Sequence, residues 1–318
     1  MTKIQSKYRV YKRNQSPLYK LRSRRKLAAL FGMTIKELES LAKRDDNYRI
    51  FYIGKSKNKP RKIEEPKPHL KRIHHRLFTL LQRIQAPEYL HSGIKGKSYI
   101  TNAKVHIGSE RLLKLDIKEF FPSTRSWHVF DFYCNVMLCS RDVSGLLTKL
   151  STCNGYVPTG SSLSQILAFY AHYNMFEEIN ALTIDNGLCM TCYVDDITIS
   201  GSSLNRKLLF KIRGILNHRG LISHPEKEHV YLNTAPREVT GSIVDAVGLR
   251  LPNFKHLNIH DDISSLLLSK DNCEKINKVE RLIGKVVAAA QADVGMHTKL
   301  ESLMQEKKRL RRVVGKSA

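Results

Sequence analysis

Two adjacent carboxylates lie between two apolar runs, and that placement constrains the fold of this chain more than any other feature. Leu188 to Val194 and Ile197 to Ser200 read as paired strands with Tyr193-Val194-Asp195-Asp196 at the turn. Thirteen Tyr and thirteen Asp scattered over 318 residues would give Tyr-x-Asp-Asp by chance only about 0.02 times. A polar hairpin turn also favours Asp, whose side chain bonds its own backbone. A third acid tips the balance: Leu112-Leu113-Lys114-Leu115-Asp116-Ile117 is an apolar strand ending in a carboxylate. A strand-end Asp beside a turn Asp pair can hold two divalent cations. Such ions sit about 3.5 to 4 Å apart to clamp the attacking and leaving oxygens of a phosphoryl transfer.

Charge indicates the partner. The chain has 54 Lys and Arg against 29 Asp and Glu, a formal charge of +25 and a pI near 9.9, the electrostatic footprint of a polyanion binder. Nucleic acid fits best. No run of about 18 apolar residues offers a membrane span, and no apolar N-terminal stretch reads as a signal peptide, so a cytoplasmic location is expected. Six Cys at 134, 139, 153, 189, 192 and 273 are too few and irregular for a disulfide framework. Cys189 and Cys192 have zinc half-site spacing, but on a strand they point to opposite faces and no second pair follows.

The first 26 residues carry ten Lys or Arg and no acid, which reads as a basic, phosphate-binding arm. Thr34-Ile35-Lys36-Glu37 is a capping box opening a helix over Glu37 to Lys43. Tyr48 to Ile53 and Arg61 to Glu65 read as strands joined by a basic turn. Helix patterns follow at Leu70 to Ile84, Trp127 to Phe132, Val143 to Leu150, Ser162 to Asn180 and Leu204 to Asn217. Strands are expected near Val230 and Val239. The last 60 residues read as helical and close with Lys307-Lys308-Arg309-Leu310-Arg311-Arg312. Acid-bearing strands crossed by helices fit an α+β fold.

The order of several blocks resembles a known family. Arg61-Lys62-Ile63-Glu64-Glu65-Pro66, Asp116 with Phe120-Phe121-Pro122-Ser123, Pro158-Thr159-Gly160-Ser161, Tyr193-Val194-Asp195-Asp196, and Gly220-Leu221 with Lys227 resemble successive blocks of reverse transcriptases. Asn102-Ala103-Lys104-Val105-His106 resembles the NAxxH block, and Val239-Thr240-Gly241 the VTG block, of bacterial retron reverse transcriptases. The resemblance covers residues 48 to 245. It implies a right-hand polymerase: a basic helical segment over 1–47, fingers over 48–110, palm with interleaved fingers elements over 111–238, and a helical thumb over 239–318. It further implies RNA-directed DNA synthesis from dNTPs, primed by a guanosine 2'-OH of a cognate structured non-coding RNA and yielding branched RNA-DNA. A role in antiphage defence with an effector protein is also implied. No second block of acids suggests RNase H, so removal of template RNA falls to a host RNase H.

By the same resemblance, Asp116, Asp195 and Asp196 are the catalytic acids. They hold two Mg²⁺ ions, with the Ile117 carbonyl as a further ligand. Phe121 resembles the steric gate against ribonucleotides, and Arg61, Lys62, Thr159, Gly160 and Lys227 line the nucleotide pocket. Thr159 stands where the family usually has Gln, Ser162 and Gln165 where it has Pro, and His224 where it has Asn. Asn102, His106, Val239, Thr240 and Gly241, with Lys307, Lys308, Arg309, Arg311 and Arg312 of the tail, are expected at the RNA. For His106 a structural or RNA-contact role is preferred to a catalytic one, since two-metal chemistry needs no imidazole base. Two rivals stay open: a non-catalytic RNA-binding protein with a polymerase fold, and an RNA-directed RNA polymerase on the same palm.

Overall fold

The local signals between residues 34 and 84 yield elements, one of which, the strand from Arg61, lines the cleft, while residues 1–9 of the expected basic arm and 55–59 of the expected basic turn lie outside the described residues. The computed structural model describes residues 10–54, 60–232, 235–269, 271–293 and 295–314. Two short helices open it, α1 (Arg24–Leu30) and α2 (Ile35–Ala42). The capping box forms as expected: Glu37 N–H donates to Thr34 Oγ1 at 3.3 Å, and Thr34 N–H to Glu37 Oε2 at 2.7 Å. An antiparallel ribbon follows, β1 (Tyr48–Ile53) and β2 (Arg61–Pro66), with Phe51 opposite Ile63. Pro68 then starts α3 (Pro68–Gln82) at its first turn, where a missing N–H costs nothing. Its buried stripe Leu70, Ile73, His74, Leu77, Leu80 and Leu81 faces the core at helical spacing.

After α4 (Tyr99–Lys104) the chain enters β3 (Leu112–Asp116), turns through α5 (Phe120–Ser123) and α6 (Ser126–Asp131), and continues into α7 (Arg141–Ser151). The single helix expected over Ser162 to Asn180 is two, α8 (Ser164–Ala171) and α9 (Tyr173–Asp185), broken at His172. Tertiary packing overrides the helical period there. The buried His172 ring meets Thr124 Oγ1 at 3.2 Å and packs 4.3 Å from His128.

The hairpin β4 (Cys189–Tyr193) and β5 (Asp196–Ser200) leads to α10 (Arg206–His218) and β6 (His229–Tyr231). These strands form a four-stranded antiparallel sheet in the order β4-β5-β3-β6. A second small sheet, β7 (Arg237–Val239), β8 (Ser242–Val244) and β9 (Leu249–Arg250), straddles the expected palm–thumb boundary at 239. Three helices close the chain: α11 (Asn253–Leu268), α12 (Asn272–Ala290) and α13 (Met296–Val314).

One large apolar core joins α1–α3, the main sheet and α5–α10. The terminal helices own a separate core built on Leu266, Val279, Leu282, Val286, Leu303 and Leu310. Two cores joined by a small sheet make the last three helices a body distinct from the catalytic sheet. Among the described residues no helix is long and apolar enough to cross a membrane, and all six cysteines are free, with Cys189 exposed and Cys192 buried.

Candidate active site

The register of the sheet gathers the acids. Tyr193 pairs with Asp196, leaving Val194 and Asp195 as a two-residue hairpin loop. Val194 adopts φ 60°, a left-handed conformation that costs a β-branched residue about 1–3 kcal/mol and persists only where surroundings impose it. They do so here: Val194 N–H donates to Ser92 Oγ at 3.0 Å, and Ile117 N–H to Asp195 O at 3.0 Å. Across the sheet Asp116 stands directly opposite Asp196, where Cβ atoms lie about 4.5–5.5 Å apart. The end of one strand and the tip of a hairpin thus bring three carboxylates together.

The segment after α10 supplies their cation. His224 N–H donates to Asp116 O at 2.7 Å and Lys118 N–H to Ile222 O at 2.9 Å, an extra rung past the end of β3. The rung carries a short turn, Pro225–Lys227, that sets Lys227 Nζ 2.9 Å from Asp116 Oδ2. The hydrogen bond to Asp116 raises the Lys227 pKa. Burial, then the charge of Asp116, pushes the Asp195 carboxyl up. Burial, then Asp195 and Asp116, lifts Asp196 to about 6. Like charges are therefore crowded in a half-sealed site, with Lys227 nearest as countercharge and Lys114 and Arg61 further off.

A cleft beside Asp195 is lined by Arg61, Lys62, Glu64, Phe121, Tyr156 and Thr159, among others. The structure thus unites five residues expected there: Arg61, Lys62, Phe121, Thr159 and Asp195. Phe121 follows Glu119, whose φ of 50° turns the chain sharply after the strand. Its half-buried ring lies 5.9 Å from Phe120, which is buried in the core. Lys62 is less available than a solvated strand lysine. Its Nζ lies 2.9 Å from Glu64 Oε1 and 3.0 Å from the Tyr156 hydroxyl, which itself donates to Glu64 at 2.5 Å. Thr159 Oγ1 donates to Lys62 O at 2.7 Å, so its hydroxyl is committed to β2.

Gly160 serves the same strand. A Cβ there would fall 2.7 Å from Glu64 O, so only glycine lets the loop close on β2. Gly160 thus packs the loop against β2. Glu64, 1% exposed, is the anchor of this wall and has no role in the sequence reading. Its signal was parity, since it shares a strand face with Lys62.

The NAxxH and VTG blocks meet each other. Asn102 Nδ2 donates to Thr240 Oγ1 at 3.4 Å, and that hydroxyl donates to Tyr99 O at 2.9 Å. Thr240 and Gly241 both have positive φ, 44° and 77°, and form the β7–β8 turn. Asn102, His106 and Val239 are 0% exposed, so a direct RNA contact by these three gives way to an internal one. His106 spans two strands, with Nδ1 2.7 Å from Ser200 Oγ and Nε2 2.8 Å from Thr191 Oγ1. Burial holds its pKa down to about 3, so the ring is neutral. Arg237, 1% exposed, donates to Ser109 O at 2.6 Å and fastens β7 to the loop after α4.

The basic tail divides. Lys307 and Arg311 both pair with Glu280 of α12, at 2.9 and 2.7 Å, and Arg309 with Glu306 at 2.8 Å. Lys308 and Arg312 make no ion pair among the described residues and share a shallow surface with Gln305 and Val313. Like charge all round α13, expected to require phosphate, is offset on one face by Glu280.

Comparison with known proteins agrees with this geometry. No protein-family model matches the chain. It is 33% identical over 243 residues to the Retron Se72 reverse transcriptase of Salmonella heidelberg, a match spanning 72% of this chain and 62% of that relative. Against the Retron Ec86 reverse transcriptase of Escherichia coli it is 24% identical over 261 residues, 80% of each chain. Against the Retron Ec48 reverse transcriptase of the same species it is 24% identical over 94% of this chain and 78% of the relative. The chain belongs to the retron reverse transcriptases. Reverse transcriptases work with divalent metal ions.

The residues fit such a metal by chemistry. Their donors are hard carboxylate oxygens, suited to Mg²⁺, and neither Asp195 nor Asp196 has an ion-pair partner among the described residues. No three His, Cys, Asp or Glu side chains there yet surround one point. Lys227 occupies the Asp116 oxygen that a cation would take.

Proposed function

We propose that this chain is an RNA-directed DNA polymerase that copies a cognate structured non-coding RNA into branched RNA-DNA. The observation that carries the proposal is the convergence of Asp116, Asp195 and Asp196 at the edge of a cleft lined by Arg61, Phe121 and Thr159. Asp116 and Asp195 would hold two Mg²⁺ ions, with the Ile117 carbonyl as a further ligand and Asp196 supporting them less directly. When bound, the metals lower the pKa of the attacking hydroxyl and neutralise the leaving pyrophosphate.

The protein's own groups do the rest. Arg61, at the cleft rim, meets the triphosphate, while Lys62 works through Glu64 and Tyr156 to hold the β2 wall. Lys227 orients Asp116 before substrate arrives. The Phe121 ring narrows the space for a sugar 2'-OH. Positioning and electrostatics are what such a transfer asks of a protein. The same proposal extends to defence against phage through a bound effector protein and to template removal by a host RNase H.

The test is primer extension on an RNA template with Mg²⁺, for the wild type and Asp195→Asn/Asp196→Asn. Template-dependent dNTP incorporation by the wild type alone supports the reading. No incorporation by either would leave a non-catalytic RNA-binding protein, and preferential rNTP incorporation an RNA polymerase. Sequencing of copurifying nucleic acid tests the product, since a 2'-5' RNA-DNA branch has few other origins.

A further inference from the structure

A second pocket lies away from the cleft, at the far end of α8. At the near end, Ser164 Oγ bonds Pro158 O of the cleft loop. Tyr170 sits six residues on, about 9 Å along the axis at 1.5 Å per residue. There, Lys12, Arg13, Tyr19, Gln85, Tyr170 and Tyr173 line a cavity that contains no acidic side chain.

The cavity is built, not left over. Its cations come from the N-terminal segment, which is strapped to the body: Tyr11 N–H donates to Arg83 O at 2.9 Å, Gln85 N–H to Tyr11 O at 2.8 Å, and Lys20 N–H to Met137 O at 2.8 Å. Arg13 holds its guanidinium 5.9 Å from the Tyr173 ring centre. Tyr170 is 3% exposed, yet its hydroxyl has no hydrogen-bond partner. Buried hydroxyls ordinarily find one. Glu177, which approaches Tyr173, is taken by the Tyr89 hydroxyl at 2.6 Å.

We propose that this pocket binds a nucleotide unit, with its phosphate on Lys12 and Arg13, its base against Tyr19 and Tyr173, and an acceptor atom of its base or sugar on the Tyr170 hydroxyl. Aromatic faces beside cations are how single-stranded nucleic acid is held without sequence readout. An acidic peptide would use the cations but leave the two ring faces without a stacking partner. A free nucleotide and a nucleotide within a strand share this chemistry, and the experiment separates them. The site is independent of the polymerase reading.

The full chain is photo-cross-linked to 4-thiouridine monophosphate, or to a short oligouridylate carrying 4-thiouridine, and the attached peptides are mapped by mass spectrometry. The expected result is attachment at the peptides carrying Tyr19 or Tyr173. Tyr170→Phe, which keeps the ring and its packing, should reduce it about five-fold, as one lost hydrogen bond does. Arg13→Gln should reduce it at least as much, while Lys36→Gln on α2, equal in charge change, leaves it unaltered. Attachment by the oligouridylate alone assigns the site to a strand, and equal attachment by the monophosphate to a free nucleotide. No attachment at these peptides, or equal loss in Lys36→Gln, would overturn the proposal, and protection of the pocket only by a copurifying acidic protein would do the same.

Discussion

Replacing His106 by Leu tests whether the NAxxH histidine works inside the protein or on the RNA. The imidazole bridges Ser200 Oγ at 2.7 Å and Thr191 Oγ1 at 2.8 Å, on adjacent strands and fully buried. Leu keeps much of the volume but leaves two hydroxyls unpartnered, at about 1–3 kcal/mol each, so about 2–6 kcal/mol at neutral pH. For a chain of this size that lowers Tm by about 3–9 °C. A pH dependence distinguishes this from a simple cavity. The folded ring titrates near 3 against about 6.5 in the unfolded chain. The neutral ring therefore stabilises the fold fully above pH 6.5, and that stability is lost as pH falls toward 3. By pH 5 the wild type has lost about 2 kcal/mol through this group, which Leu cannot lose. The gap in Tm between the two proteins should accordingly narrow between pH 7.5 and 5. Thermal unfolding followed by circular dichroism at both values measures it, with RNA affinity determined well below both transitions. An unchanged Tm together with weakened RNA binding would refute the reasoning.

Asp195→Asn/Asp196→Asn should abolish DNA synthesis and leave RNA affinity within a few-fold, while raising metal-free Tm because crowded like charges are removed; a filter-binding assay and differential scanning fluorimetry report both. Phe121→Val should raise rNTP relative to dNTP incorporation in single-nucleotide addition, and unaltered discrimination would make that ring a packing residue only. Lys308→Gln/Arg312→Gln should flatten the dependence of log affinity on log salt by up to about two units. Lys307→Gln/Arg311→Gln, whose cations already serve Glu280, should flatten it less, and equal slopes for wild type and both variants would place the tail away from RNA.

The acids were legible because each sits at the end of a strand whose own residues announce it. Leu112, Leu113, Leu115, Ile197 and Ile199 are apolar, and Val194-Asp195 supplies the two residues a tight hairpin needs. Thr34 and Glu37 were legible for the same reason, since both partners of a capping box lie within one turn. Phe121 and Thr159 reached the cleft as expected. The roles of Gly160, Lys62 and His106 were not readable, because each depends on a surface brought from elsewhere in the chain.

Sequence alone determined the α+β character, the strand-end acids and the basic charge, because these rest on composition and on periodicities of two and 3.6 residues. Tertiary structure decided which groups meet. Lys227 reaches Asp116 across 111 positions, Tyr156 reaches Glu64 across 92, and Asn102 reaches Thr240 across 138. No local pattern encodes such pairs. They arise when packing of the large core fixes the strand order β4-β5-β3-β6 and the close of the 158–161 loop on β2. The break at His172 and the pairing of Glu280 with the tail have the same origin: buried polar groups take the partners that the assembled fold puts within reach.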